Sequence, residues 1–206
     1  MDKVVVVSLH RTATQSTTDF LKDLGYNACH WGGYILGQEI VENYDLNPKD
    51  FKEKFYNILE EYDAISDCPF NIMYEYFDKK YDKCKFILIT RDFASWALSV
   101  KKLYSVVKNN KFNLIDRMQY WEYLKNKPES IFDCSDDDLK YVYDNHIKNV
   151  KDYFKNKNNF FEIEMKNIGS GYEIAKFLNK ENIFNDFKIT FKNVDFVNKR
   201  ISNLHS

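Results

Sequence analysis

The stretch Val4-Val5-Val6-Val7-Ser8-Leu9-His10-Arg11-Thr12-Ala13-Thr14-Gln15-Ser16 decides the fold of this chain. Four consecutive valines cannot alternate between a core and water, so they predict a strand that is covered on both faces, as at the centre of a parallel sheet. The next segment places Phe20, Leu21 and Leu24 on one helical face and ends at Gly25, which is typical of a glycine-capped helix. The chain therefore begins with a predicted strand, polar loop and helix.

The polar loop between this strand and helix favours anion binding. Free backbone N–H groups and the helix dipole converge at a helix N-terminus. Arg11 would add a fixed positive charge, and Thr12, Thr14 and Ser16 would add hydroxyl donors. The alternative is an ordinary connection with a Ser or Thr N-cap. The loop is not a Walker A motif, because it lacks the glycines and the lysine of G-x-x-x-x-G-K-[ST], so a conventional ATP or GTP kinase is disfavoured.

Composition restricts the class of protein further. With 206 residues, the chain is long enough for a full core, and we expect one domain over residues 1–206. A formal net charge of −1 gives no global attraction to nucleic acid or to an anionic membrane. We find neither an apolar run long enough to span a membrane nor a signal-peptide pattern. Cys29, Cys68, Cys84 and Cys134 lack metal-binding spacing, which predicts reduced thiols and a cytoplasmic enzyme.

A second polar site follows the buried strand predicted at 85–90. Arg91 would lie at the carboxyl edge of the sheet, near the loop at 8–16 if the two strands are neighbours. Ser99 lies about two turns along the helix predicted at 93–106. Arginine binds phosphate through two parallel hydrogen bonds, and a nearby hydroxyl completes the contact. The alternatives are a salt bridge from Arg91 to Asp92 and a packing role for Ser99.

The remaining segments predict short strands and amphipathic helices around the two polar sites. We expect further strands at 26–31, 64–66 and 160–163, and further helices at 34–43, 48–61, 70–81, 113–124, 136–155 and 171–179. This alternation predicts an α/β fold, a three-layer αβα domain with a mainly parallel central sheet of four or five strands.

Both polar stretches resemble motifs of the PAPS-dependent sulfotransferases. Residues 8–16 are similar to the 5′-phosphosulfate loop of the branch that reads roughly L-P-R-T-G-T-x-S. The run Arg91-Asp92-x-x-Ser95-Trp96-x-x-Ser99 is similar to the 3′-phosphate signature R-D-P-x-S-W-x-x-S. Weaker likenesses are Asn145-His146 followed by Val150, Glu173-x-x-x-Lys176-Phe177-Leu178, and Asn193. Two signatures in the right order are more specific than either alone.

The chain departs from this pattern at three positions. His10 and Phe93 stand where the family has proline, and Ala13 stands where it has glycine. If the backbone at Ala13 needs a positive φ, its methyl group costs roughly 1 kcal/mol or more.

The resemblance implies a P-loop NTPase-like topology and sulfuryl transfer from PAPS to a hydroxyl or amine of a carbohydrate or small-molecule acceptor. No metal is required. Arg11 would stabilise charge on the bridging oxygen, and Arg91 and Ser99 would hold the 3′-phosphate. The residues that would hold the 5′-phosphosulfate are His10, Arg11, Thr12, Ala13, Thr14, Gln15 and Ser16. A basic tail from Lys188 is either a further 3′-phosphate contact or a solvated terminus.

The resemblance also implies a general base at Asp67, at the carboxyl end of the predicted strand 64–66. Helix capping is the alternative role for Asp67, and His146 and His30 are the alternative bases. Two rival functions stay open: a nucleotide-dependent phosphoryl transferase, and a nucleotide-binding relative without turnover. The sequence predicts neither the acceptor nor the oligomeric state.

Overall fold

A parallel sheet organises the residues that the computed structural model describes, which are 2–32, 52–106, 114–169 and 171–183. Its strands are β1 (Lys3–Val6), β2 (Ala28–His30), β3 (Ala64–Ser66), β4 (Cys84–Thr90) and β5 (Phe160–Glu164). Within the described ranges they pair in the order β2-β3-β1-β4-β5, and every pairing is parallel. The valine strand therefore lies at the centre of the sheet.

Helices cover both faces of the sheet, as the valine run predicts. They are α1 (Thr14–Asp23), α2 (Ile58–Glu61), α3 (Tyr74–Lys80), α4 (Phe93–Ser105), α5 (Leu114–Trp121), α6 (Asp136–Phe154) and α7 (Tyr172–Phe177). Val4 and Val6 belong to a buried cluster with residues of α1 and α7. Val5 and Val7 belong to a second cluster with residues of α3, α5 and α6. The predicted three-layer fold with a parallel sheet is confirmed.

A third buried cluster lies beyond the carboxyl end of β1. Leu9 packs there with Trp96 and Tyr104 of α4, Tyr120 of α5 and residues of α6. This cluster supports the loop that follows β1, because it places aromatic rings beneath the point where the loop leaves the sheet.

Two helix predictions were wrong in detail, and two segments lie outside the described residues. In place of one helix over 48–61, the described part has helical residues at 52–53, turns at 54–57 and then the short α2. Phe55 and Ile58 donate backbone hydrogen bonds to Lys52 and Phe55. The predicted helix 70–81 is divided into a 3-10 turn at Phe70–Ile72 and α3. The predicted helix 34–43 and the basic tail from Lys188 fall outside the described ranges.

The cysteines are thiols, as their spacing predicts. Cys29, Cys68, Cys84 and Cys134 are all free and buried. No helix in the described part of the chain combines the length and the apolar character that a membrane crossing needs.

The histidine of α6 fixes the carboxyl end of β1. His146 is fully buried, and its Nε2 lies 2.7 Å from the carbonyl oxygen of Val7, so this nitrogen carries the proton and donates. Its Nδ1 lies 2.9 Å from the hydroxyl of Tyr123. Burial lowers the pKa of His146 to about 4, although its hydrogen bond to Val7 opposes the shift. His10 is similarly buried, and its pKa falls to about 3 because of burial and the nearby charge of Arg11.

We expect these two histidines to make the protein less stable in mild acid. Below the ordinary histidine pKa of 6.5, both histidines are protonated in the unfolded chain. In the folded chain His146 binds its proton only near pH 4 and His10 only near pH 3. The free energy of unfolding therefore falls as the pH drops from 6.5 to 4, with about 1 kcal/mol per pH unit from each histidine. His146→Gln keeps a donor for the carbonyl oxygen of Val7 but cannot titrate. Urea unfolding at pH 7, 6 and 5 should therefore show that its free energy of unfolding changes less with pH than that of the parent chain. Identical slopes in the two proteins would contradict this assignment.

Candidate functional site

The loops after β1, β2, β3 and β4 meet at one edge of the sheet, because these strands are parallel neighbours. Left-handed backbone is concentrated in these loops. Arg11 has a φ of 65°, Ala13 of 64°, Trp31 of 62° and Asp67 of 71°. Non-glycine residues adopt this conformation rarely and tend to do so at functional sites, so this edge is the candidate site.

Groups from β4, α4 and the loop between them hold the loop after β1. The backbone N–H of Ile89 donates to Ser8 Oγ at 2.6 Å. Trp96 Nε1 donates to the carbonyl oxygen of His10 at 2.9 Å, and Arg91 Nη1 donates to that of Arg11 at 3.0 Å. The loop conformation therefore depends on the second motif, 80 and more positions away.

Helix α1 points a positive N-terminus at this loop. Ala13 is its N-cap in left-handed conformation, no side chain caps it, and its first turn contains no acidic residue. Nothing on the helix itself therefore neutralises the dipole at this end, which suits an anion. Gly25, with a φ of 90°, follows the helix as the predicted terminator.

Two guanidinium groups lie beside the loop. Arg11 Nε donates to Ser99 Oγ at 3.0 Å, and Arg91 Nε donates to Ser95 Oγ at 2.9 Å. Burial lowers the pKa of Arg91, but an arginine stays charged at neutral pH. Asp92 accepts a hydrogen bond from the backbone N–H of Ser95 and so caps α4. The structure thus brings Arg11, Arg91 and Ser99 together, as the sequence predicts.

Asp67 lies between the loop after β1 and the end of β2. Its Oδ2 accepts a hydrogen bond from Thr14 Oγ1 at 2.9 Å and lies 3.4 Å from His30 Nε2. Its Oδ1 accepts from the backbone N–H of Cys68 at 2.7 Å. His30 Nδ1 in turn lies 2.9 Å from Ser66 Oγ. A carboxylate, an imidazole and a hydroxyl of α1 therefore form one cluster.

Other predicted site residues face away from this cluster. The ring of His10 is buried against Trp96, Tyr104 and Tyr120, and its Nε2 lies 2.8 Å from the Tyr120 hydroxyl. His146 is buried beneath Val7, with both ring nitrogens hydrogen-bonded.

Within the loop and α1, several side chains are also turned inward or along the helix. Thr12 is buried and donates to the carbonyl oxygen of Leu9. Gln15 donates to Asp19 one turn along α1, and Ser16 lies in the first turn of the same helix.

Some residues that shape the site escaped the sequence analysis. Ser95 and Trp96 belong to the quoted motif but were given no role at the site, although they bind Arg91 and the loop carbonyl of His10. Tyr143 of α6 donates from its hydroxyl to the carbonyl oxygen of Arg91, and no local pattern marks this contact. The motif spacing was the signal for Ser95, since it places this residue one turn after Arg91.

We expect Ala13→Gly to raise the free energy of unfolding by up to about 1 kcal/mol. Glycine adopts the left-handed region without the penalty that a methyl group incurs, although its freer unfolded chain offsets part of the gain. Ala97→Gly is the matched control, because Ala97 lies inside α4 and glycine there should lower stability by about 1 kcal/mol. Urea unfolding at pH 7 measures both variants. A loss of stability in Ala13→Gly as large as in the control would show that φ at residue 13 is not strained.

Comparisons with known proteins give the family of this chain. Residues 3–187 match the family described as "Sulfotransferase domain". A sulfotransferase from Alicyclobacillus acidocaldarius is 11% identical, with 99% of this chain and 91% of that chain covered and a TM-score of 0.49. Mouse sulfotransferase SULT7A1, complexed with PAP, is 16% identical with a TM-score of 0.44, and 100% of this chain spans 63% of that chain. No curated protein matches the sequence. Because the family match covers residues 3–187, the chain belongs to the sulfotransferase-domain family.

Proposed function

We propose that this chain transfers a sulfuryl group from PAPS to a hydroxyl or amine of a small-molecule or carbohydrate acceptor. The observation that carries the proposal is the pair of contacts that joins the two motifs. Arg91 donates to the carbonyl oxygen of Arg11, and Arg11 donates to Ser99. Two positive side chains and the N-terminus of α1 are thereby directed to one loop, which fits a donor with separate phosphate groups. The buried, free cysteines support our placing of this activity in the cytoplasm.

The donor would lie across the two motifs. We assign the 5′-phosphosulfate to the backbone of the loop at 10–13 and to the first turn of α1, whose dipole favours an anion. We assign the 3′-phosphate to Arg91 and Ser99. In this assignment His10 and Thr12 shape the loop, because their side chains bind protein groups within the core.

The reaction is an in-line displacement at sulfur. A bond forms between the acceptor oxygen or nitrogen and sulfur, while the bond between sulfur and the bridging oxygen of the donor breaks. That oxygen leaves with the electron pair as part of the 5′-phosphate of 3′,5′-ADP. We assign Arg11 to stabilise the charge that develops there, and positioning of the two substrates supplies much of the rate.

The acceptor proton needs a base, and we assign it to Asp67 with His30 beside it. Their atoms lie 3.4 Å apart, so the proton can be taken by the carboxylate or by the imidazole. Thr14 donates to the same carboxylate oxygen, which links the base to the first residue of α1. We do not assign this role to His146, because it is fully buried and both ring nitrogens are hydrogen-bonded.

The pair of Thr14 and Asp67 also supports a second candidate, a nucleotide-dependent phosphoryl transferase. Kinases hold Mg²⁺ with a loop hydroxyl and an acidic side chain, and Thr14 Oγ1 lies 2.9 Å from Asp67 Oδ2. A requirement for Mg²⁺ separates the two functions. The strained Ala13 keeps a third possibility open, a relative that binds the nucleotide without turnover.

We expect calorimetry to show that 3′,5′-ADP binds far more tightly than 5′-ADP, and more tightly than ATP with Mg²⁺. Arg91→Ala should weaken the binding of 3′,5′-ADP by about 2–3 kcal/mol more than the binding of 5′-ADP, because only 3′,5′-ADP loses a charge-assisted contact to its 3′-phosphate. Loss of the hydrogen bond from Arg91 to the carbonyl oxygen of Arg11 affects both nucleotides alike.

Lys85→Ala is the matched control for Arg91, because Lys85 is a cation near the amino end of the same strand. It should bind both nucleotides like the parent chain. Equal affinities for 3′,5′-ADP and 5′-ADP would contradict the 3′-phosphate assignment. Tighter binding of ATP with Mg²⁺ would favour the phosphoryl transferase.

We expect Asp67→Asn to lower kcat by about 10²–10⁴-fold, the usual contribution of a placed base, with the Kd of 3′,5′-ADP little changed. Asp63→Asn is the control, because Asp63 and Asp67 flank β3 at its two ends. Asp63 pairs with Lys3 at the amino end of the strand, away from the candidate site.

His30→Ala and His146→Gln, measured beside Asp67→Asn, complete the test of the base. A near-normal kcat in Asp67→Asn together with a collapse in His30→Ala would move the base to His30. A collapse in His146→Gln alone, with folding and nucleotide binding intact, would overturn our exclusion of His146.

A further inference from the structure

Asn71 and Gln119 form a buried amide pair between the loop after β1 and the loop after β3. Both residues are fully buried. Asn71 Nδ2 donates to Gln119 Oε1 at 2.7 Å, and the backbone N–H of His10 donates to the same oxygen at 3.2 Å. The backbone N–H of Asn71 donates to the carbonyl oxygen of Asp67 at 3.1 Å. The pair therefore adjoins both the proposed donor loop and the loop of the proposed base.

The backbone of His10 fixes which way both amides point. A backbone N–H only donates, so the Gln119 atom facing it is the accepting oxygen. That oxygen in turn requires the donating nitrogen of Asn71 at the contact between the two amides. A proline at position 10, as in the sulfotransferase pattern, has no N–H and could not impose this orientation. The orientation is thus a consequence of His10 in this chain.

In this orientation one donor, Gln119 Nε2, and one acceptor, Asn71 Oδ1, take no part in the contact between the two amides. Within the described ranges, neither Gln119 Nε2 nor Asn71 Oδ1 has a hydrogen-bond partner, although both atoms are buried. A buried polar atom without a partner loses its hydration and gains nothing in return, so native proteins rarely tolerate one. Two such atoms on hydrogen-bonded neighbours point to a bound group that the described residues do not supply.

We infer that Asn71 and Gln119 form a subsite for a neutral hydroxyl group. A hydroxyl accepts a hydrogen bond from Gln119 Nε2 and donates one to Asn71 Oδ1. An alkylammonium ion has no acceptor, an arylamine nitrogen is a poor acceptor because its lone pair is delocalised into the ring, and a sulfate or phosphate-monoester dianion has no donor. None of these groups satisfies both atoms as a hydroxyl does. The hydroxyl belongs to the acceptor substrate or to an internal water molecule. The first source rests on the proposed function and narrows its acceptor to alcohols and phenols, whereas the second does not depend on it.

Crystal structures of the full chain test the subsite directly, once with 3′,5′-ADP alone and once with 3′,5′-ADP and 2-naphthol. We expect an oxygen atom within about 3.2 Å of Gln119 Nε2 or Asn71 Oδ1 in both structures. A water molecule in both identifies water as the source, and its replacement by the naphthol oxygen identifies the acceptor. A dry site, or one in which only protein atoms contact the two amides, would overturn the inference.

Gln119→Glu separates the two sources in solution. Glutamate keeps an oxygen for His10 and Asn71 but replaces the outward donor. If the acceptor is the source, kcat/KM for 2-naphthol should fall about tenfold or more relative to that for 2-naphthylamine, because the hydroxyl loses its donor. If water is the source, this ratio stays constant, and the water remains in the variant because it can donate to both the glutamate oxygen and Asn71 Oδ1. A constant ratio together with a dry site in the parent crystals would also overturn the inference.

Tyr120→Phe is the matched control, because Tyr120 is the next residue of α5 and binds the ring of His10 without contacting the amide pair through a described hydrogen bond. It should change the rates with both acceptors by the same factor, as a disturbance of the loop would. Failure of 3′,5′-ADP to bind would refute the proposed function alone, since a third crystal structure, without nucleotide, tests for the oxygen at the amide pair independently.

Discussion

The left-handed backbone of Arg11 and Ala13 is the constraint on which the rest of the site depends. These two residues turn the chain from the central strand into α1, and neither is glycine. Such a conformation persists only where the surroundings determine it. Here Trp96 and Arg91 bind the carbonyl oxygens of His10 and Arg11, and Gln119 binds the N–H of His10. Three separate parts of the chain therefore maintain one short loop.

The charge around this loop is concentrated rather than global. The chain carries a formal net charge of −1, yet Arg11 and Arg91 meet at the uncapped N-terminus of α1. His10 lies next to them but stays neutral, because burial and the charge of Arg11 lower its pKa to about 3. Local geometry thus places two arginines and a helix N-terminus at one edge of a protein whose net charge is close to zero.

Helix α5 connects the loops at the candidate-site edge of the sheet. Asp116 accepts hydrogen bonds from Trp31 Nε1 and the Tyr104 hydroxyl, so it connects the loop after β2 to α4. Gln119 connects the loops after β1 and β3. A shift of α5 would therefore displace contacts to the loops after β1, β2 and β3, which lie at the same edge of the sheet. Because the two contacts of Gln119 are buried and polar, they fix one arrangement of the loops after β1 and β3 more strongly than apolar packing would.

Elements with a local sequence signal can be predicted without the fold. The sequence predicts β1 and β4 from their continuous apolar runs, and α6 from its amphipathic pattern. Burial of a strand on both faces, or of one stripe of a helix, leaves a regular pattern of apolar residues. Since parallel strands end at one edge, the sequence also placed Arg11, Asp67 and Arg91 in a common region. It overestimated the helices at 48–61 and 70–81, where tight turns keep the same side chains buried.

Which of these side chains face one another depends on the packing of the folded chain. His10 and His146 look like candidate site residues in the sequence, yet packing turns both rings into the core. The partners that matter are distant along the chain, with 88 positions between Arg11 and Ser99 and 109 between His10 and Gln119. No local periodicity encodes such pairs. They follow from the way α4 and α5 pack against the end of β1, and packing depends on the shapes of all the side chains at once.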